Sequence, residues 1–275
     1  MNENSTPTQE DDVRQIVRLL ADIAILNGDH TTKKIALLTG LCELIGAKKW
    51  VWVLRIDTPE KDTPTFAGYL NGGFTTEEFL SLSTAGAHPQ VSEIEAPMKK
   101  ELEHKKCHIT LRLEDYDRGL WQGSEVGELA KQAGVATFIS STRPMSDTTA
   151  STVVIYRAPG EGTFSERERR IAHIILTEVG WLHTLGWPEK QYIETLPSLP
   201  KSNMVLLSLL LQGHSRKEMA ELMKLSPHTI GSYIKAIYKH FDVTSQPMLM
   251  NRFIYGDGHD VISHEFLEQN TLKTD

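Results

Sequence analysis

The chain has 275 residues, 40% of them hydrophobic and 24% charged, the balance of a soluble globular protein of one or two domains. Its formal charge of -7 argues, taken alone, against a nucleic-acid partner, and two cysteines, Cys42 and Cys107, are too few for a disulfide scaffold and suit a reducing cytoplasm. The N-terminus is polar and acidic rather than basic and then apolar, and no apolar run is long enough to span a bilayer, so neither a signal peptide nor a membrane partner is expected and a cytoplasmic protein is.

Residues 1–11 are expected to be disordered. A helical pattern over residues 12–26, with Val13, Ile16, Leu19, Leu20 and Ile23 as its apolar series, stops at Asn27-Gly28. A second helix, residues 32–45, is closed by Gly46. Strands follow at residues 50–56 and 66–70, and Gly72-Gly73 marks a turn. Residues 75–105 read as helices broken at His88-Pro89 and again at Ala96-Pro97. A strand is expected at 108–113, a helix at 124–133, and two strands at 135–141 and 152–156 joined by a hairpin loop. Ser165 with Glu168 three residues on is a capping box, opening a helix that buries Ile171, Ile174, Ile175, Val179 and Leu182. This order predicts an α+β domain over 12–186 built on an antiparallel sheet with helices. Residues 187–200 hold Pro188, Pro197 and Pro200 and read as a linker.

Beyond the linker the charge changes sign. Seven basic residues between 198 and 255, Arg216, Lys217, Lys235 and Lys239 among them, face three acids, giving +4, whereas the tail from 257 to 275 is acidic. A basic island in an acidic chain is what a phosphate-binding face requires. Three helix signals share the island. Residues 202–212 are strongly apolar and end at Gly213. Ser215 and Glu218 form a second capping box. Ser226-Pro227 supplies an N-cap and a proline at the first helical position. So short a connection between the second and third helices forces a steep crossing, which the small Ala220 permits. On the third helix Ile230, Ile234, Ile237 and Phe241 form one apolar stripe. His228, Ser232, Lys235 and Lys239 repeat that spacing about 160° away. A helix packed on one side and basic on the other can enter a major groove.

Leu206-Leu207, Leu209-Leu210, Gly213, Ser215, Lys217-Glu218, Met219-Ala220, Leu225-Ser226, Thr229-Ile230, Ile237-Tyr238, Phe241 and Val243 make this stretch resemble the LuxR/GerE-type helix-turn-helix family. The resemblance implies an all-α four-helix DNA-binding domain over 201–256, with double-stranded DNA as partner. A last helix over 247–255 would serve a homodimer contact through Met248, Leu249 and Phe253. Family positions put Gly231, Ser232 and Lys235 opposite bases; Lys217, Thr229 and Lys239 are placed for phosphate. Asn203, Gly231 and Tyr233 depart from the family pattern, and Gly231 offers a base no side chain. The N-terminal domain resembles a GAF domain, with a PAS domain as rival, through the strand pair and the Phe164–Glu168 opening of its terminal helix. That resemblance implies a sensor taking a small-molecule effector. Trp50, Trp52, Trp121 and Trp181 could line its pocket or simply form core. His104, Cys107 and His108 lack a second ligand group for a metal. No catalytic motif stands out, and neither an enzyme nor a cofactor is expected. The reading is a sensor-controlled transcriptional regulator. Its alternative is a ligand- or protein-binding regulator whose degenerate helix-turn-helix has lost tight DNA binding, motivated by Gly231, Asn203 and the acidic tail.

Overall fold

Amphipathic periodicity makes the first two elements, and capping fixes where they begin. Helix α1 (Glu10–Ile25) starts two residues earlier than its pattern predicts, where the Asp12 carboxylate accepts from the Gln9 amide at 3.1 Å and the Asp12 amide donates to the Gln9 carbonyl at 3.0 Å. Helix α2 (His30–Leu44) is capped by Asp29, whose side chain accepts from the Thr32 amide. The computed structural model describes residues 9–56, 65–185 and 201–249, apart from 87, 89, 106, 117, 118, 120, 122 and 212. Most of the expected disordered start, the linker and the acidic tail lie outside the described residues.

Strands β1 (Lys49–Ile56) and β2 (Thr65–Gly72) follow, then helices α3 (Thr76–Gly86) and α4 (Val91–Lys105). Strand β3 (Ile109–Arg112) falls within the expected strand over 108–113 and runs into the short helix α5 (Leu113–Tyr116), an element with no counterpart in the sequence reading. Helix α6 (Glu125–Gln132) leads to the hairpin β4 (Thr137–Pro144) and β5 (Thr149–Arg157). Helices α7 (Glu166–Glu178) and α8 (Trp181–Thr184) close the domain. The five strands lie in the order β2-β1-β5-β4-β3 with every pairing antiparallel, the α+β sheet anticipated. Two expectations fail: Val13 of the α1 apolar series is exposed, and α4 runs through Pro97. Proline removes one backbone donor, yet Ile94 and Met98 on either side of it are both buried, and that tertiary burial outweighs the lost bond.

Alternation along β1 divides the interior. Trp50, Trp52 and Leu54 point to a core shared with α1, α2 and α7, while Val51 and Val53 join Phe79, Ile94, Val126, Phe138 and Tyr156 on the other face. The tryptophans therefore line no common pocket. Trp50 and Trp52 are core residues whose indoles donate to Thr39 Oγ1 at 3.3 Å and Ser151 Oγ at 3.1 Å, and Trp121 lies across the sheet. Arg157 ties three elements together. It donates to the carbonyls of Ile45 (2.6 Å), Gly46 (3.2 Å) and Thr163 (2.6 Å), pairs with Glu168 at 2.7 Å and stacks on Phe164. No described helix is long and apolar enough to cross a membrane.

A polar layer lies between the sheet and α7. His108 Nε2 meets Ser141 Oγ at 2.7 Å, Thr110 bridges Ser141 and His173, and the ring of His183 spans Ser151 Oγ (2.8 Å) and the Leu176 carbonyl (2.6 Å). The rings of His173 and His183 each stand edge-to-face on His108. Burial pushes His108 down to about 3 and His183 down to about 4, so both are neutral at pH 7. Among the described residues no group of histidines, cysteines and acids is arranged to hold a metal, and His108 spends its ring on hydroxyls.

The folded pKa values lie below the ordinary histidine value, so the unfolded chain takes up protons first as pH falls. The stability these groups contribute is complete above about pH 6.5 and is lost as pH drops toward 4. Urea unfolding should therefore show stability decreasing from pH 7 to pH 5, above the carboxylate range. His183→Gln should flatten that slope by up to one proton, about 1.4 kcal/mol per pH unit. An unchanged slope would contradict neutral burial of His183.

Candidate nucleic-acid interface

The C-terminal module is set up by local chemistry. Helix α9 (Lys201–Leu211) carries Leu206, Leu207, Leu209 and Leu210, all buried, and leaves through Gly213 in the left-handed region at φ 85°. Helix α10 (Arg216–Leu222) starts at the expected box, Ser215 accepting from the Glu218 amide while the Glu218 carboxylate accepts from that of Ser215 at 2.7 Å. Helix α11 (Pro227–His240) is capped by Ser226, whose oxygen accepts from the Thr229 amide at 3.1 Å. Between α10 and α11 Lys224 takes φ 52°, and the Leu225 amide returns to the Ala220 carbonyl at 3.0 Å. One left-handed residue thus reverses the chain at the point where Ala220 is buried between the helices.

Ile230, Ile237 and Phe241 of the apolar stripe are buried with Leu206, Leu210 and Met219 in a core of their own, and Ile234 packs against it. Opposite, His228, Ser232, Lys235 and Lys239 are exposed along α11, and Lys217 is exposed on α10. These five candidate side chains therefore reach solvent. Thr229 is half-buried and its hydroxyl is engaged by Ser226 Oγ at 2.9 Å, while Ser232 Oγ leans back on the His228 carbonyl at 3.3 Å. A helix is present over 246–249, tied to the end of α9 by Gln246 donating to the Leu210 carbonyl at 2.8 Å. Leu249 is fully buried in the module's own core and Met248 is exposed; Phe253 lies outside the described residues.

Two departures acquire a location. Asn203 is buried, its side-chain oxygen without a hydrogen-bond partner among the described residues, so its change from the family pattern bears on packing rather than on a DNA-facing surface. Gly231 lies under an arginine the sequence reading passed over. Arg216 Nε donates to the Pro227 carbonyl at 2.5 Å, and a Cβ at residue 231 would fall 2.6 Å from Arg216 Cζ, closer than packed atoms stand. The two residues are fifteen positions apart on different helices, and spacing along one helix gives no signal of their contact.

Residues 198–252 match the model of the GerE family, bacterial regulatory proteins of the luxR family. This segment is a GerE-type module. No curated protein matches the chain. Similar solved structures include SdiA of Escherichia coli, at 10% identity over 89% of this chain and 98% of that one, with a TM-score of 0.40. The N-acylhomoserine lactone dependent LuxR family factor CepR2 of Burkholderia cenocepacia is 10% identical over 63% of this chain and 96% of that one, at 0.40. The LBD domain of VqsR from Pseudomonas aeruginosa is 11% identical over 62% and 91%, at 0.37.

The GerE-type module should be sensitive to its turn. Ala220→Leu should force α10 and α11 apart and destabilise the module by about 1–3 kcal/mol. Lys224→Gly, relieving a left-handed lysine, should stabilise it by about 1 kcal/mol. Amide hydrogen exchange of α11 in the full chain reports both, as faster and slower exchange respectively.

Proposed function

We propose that the chain is a DNA-binding transcriptional regulator in which the N-terminal α+β domain receives a signal and α11 of the GerE-type module enters the major groove. The carrying observation is the exposed row His228, Ser232, Lys235 and Lys239, back to back with a buried stripe on a helix whose N-terminus is capped. Lys235 can donate to guanine O6 or N7, whereas Ser232 discriminates little. Lys217 and Lys239 are the phosphate contacts, with the short Thr229 beside them, and such contacts position the protein without reading sequence. Binding as a homodimer would match two-fold related half-sites. The signal is a small molecule taken up against the aromatic face of the sheet, where Phe79, Trp121, Phe138 and Tyr156 gather. That face suits a GAF-like sensor better than the opposite one, whose interior hydroxyls and imidazoles are already bonded to one another. The reading that the module has lost DNA binding is weakened, since Asn203 is interior and the space over Gly231 is filled.

Fluorescence anisotropy with DNA from upstream of the gene tests this, using the full chain at low and moderate salt. Binding should weaken steeply with salt. Lys217→Ala and Lys239→Ala should each weaken all sequences alike and reduce the slope of log K against log salt by about 0.9. Lys235→Ala should cost about 1–3 kcal/mol on the preferred sequence only. Absence of binding at low salt would overturn the proposal.

A further inference from the structure

The arginine seated over Gly231 has a place on the groove-facing side that neither helix would supply alone. Counting about 100° per residue, Gly231 lies about 40° from Lys235, one turn before it and at the edge of the polar row. A side chain at that position would have to share its space with the guanidinium of Arg216, so the bare backbone of Gly231 is what lets the guanidinium lie there. Arg216 is exposed and makes no ion pair among the described residues. Its Nε–H is spent on the Pro227 carbonyl at 2.5 Å. An arginine held through Nε presents its remaining fork of Nη donors as a fixed pair, the edge that matches O6 and N7 of guanine. A lysine could not be held this way, having one nitrogen and no second edge.

We propose that Arg216, seated on Gly231, is a specificity-determining residue of the DNA site. It reads a guanine next to the base read by Lys235, from a side chain that α10 sends across α11. The inference rests on the DNA-binding reading above and deepens it. Gly231 is then the residue that positions the arginine, and the space left by its missing side chain is filled from the neighbouring helix.

The test is selection of random-sequence duplexes by the full chain, followed by anisotropy on the selected sequence and on the unselected pool. The wild-type chain should enrich a guanine that Arg216→Ala no longer enriches. Arg216→Ala should lose about tenfold or more in affinity on the selected duplex and little on the pool. Gly231→Ala should expel the guanidinium and give the same loss; alanine favours the helix, so folding is not at risk. The double substitution should then be no worse than either single one, because both remove one contact. Equal weakening of every sequence by Arg216→Ala, with a shallower salt slope, would make Arg216 a phosphate contact and overturn the proposal. So would retention of the guanine preference by Gly231→Ala. Wild-type binding with unaltered variants would sink this inference alone, whereas failure of the wild-type chain to bind at low salt would sink the DNA-binding reading with it.

Discussion

A seven-residue helix does not hold its shape in water, and α10 is seven residues long. Its rigidity comes from the reciprocal cap at Ser215 and Glu218 and from the close approach that Ala220 allows to α11. Everything on the polar side of the module depends on that approach. It sets where Lys217 stands relative to Lys235 and Lys239, and it brings Arg216 within reach of the Pro227 carbonyl. A cap contributes about 1 kcal/mol, but here the cap and the small residue act chiefly on geometry, fixing how α10 and α11 cross.

The N-terminal domain solves a different problem, that of closing a five-stranded sheet between helices without stranding polar groups. Arg157 satisfies carbonyls of the α2 exit and the β5–α7 connection while pairing with Glu168, so one buried cation joins the sheet to helices on both sides of it in sequence. Lys34 is buried as well, donating to the Leu185 carbonyl at 2.5 Å over the ring of Trp52, and burial lowers it to about 7. The α7 face is thus fastened by directional bonds. The opposite face is held mainly by aromatic and aliphatic packing among Phe74, Phe138 and Tyr156, which is more tolerant of rearrangement than a hydrogen-bonded layer.

What the sequence made legible was local. Ser165 with Glu168, Ser215 with Glu218 and Ser226 with Pro227 each state a helix start within four residues, and each helix begins there. The alternation of Trp50 and Trp52 placed them on one face, and the 3.6-residue period of α11 separated Ile230 and Ile237 from Lys235 and Lys239. What stayed hidden was non-local. Pro97 reads as a break because the burial that overrides it comes from the sheet beneath. Nothing near Lys34, His108 or His183 in the chain announces that they are interior, because their partners lie 151, 33 and 32 residues away. The same limit hid Arg216, a surface arginine by pattern whose contact is on another helix.

The two glycine effects at residue 231 pull in opposite directions, and their balance explains why a weak helix former can stand in the middle of α11. Glycine inside a helix costs about 1 kcal/mol against alanine. That penalty is spread over a helix already fixed by Ser226, Pro227 and the buried Ile230, Ile237 and Phe241, so the fold tolerates it. In return the backbone leaves room for a planar, permanently charged group whose donors are fixed by a bond to the helix itself. Charge works the same way on a larger scale. The chain is acidic in sum, but ionic screening limits exposed charges to about 8 Å at physiological salt, so on the proposed reading a phosphate would meet the basic row of the module rather than the net charge of the protein.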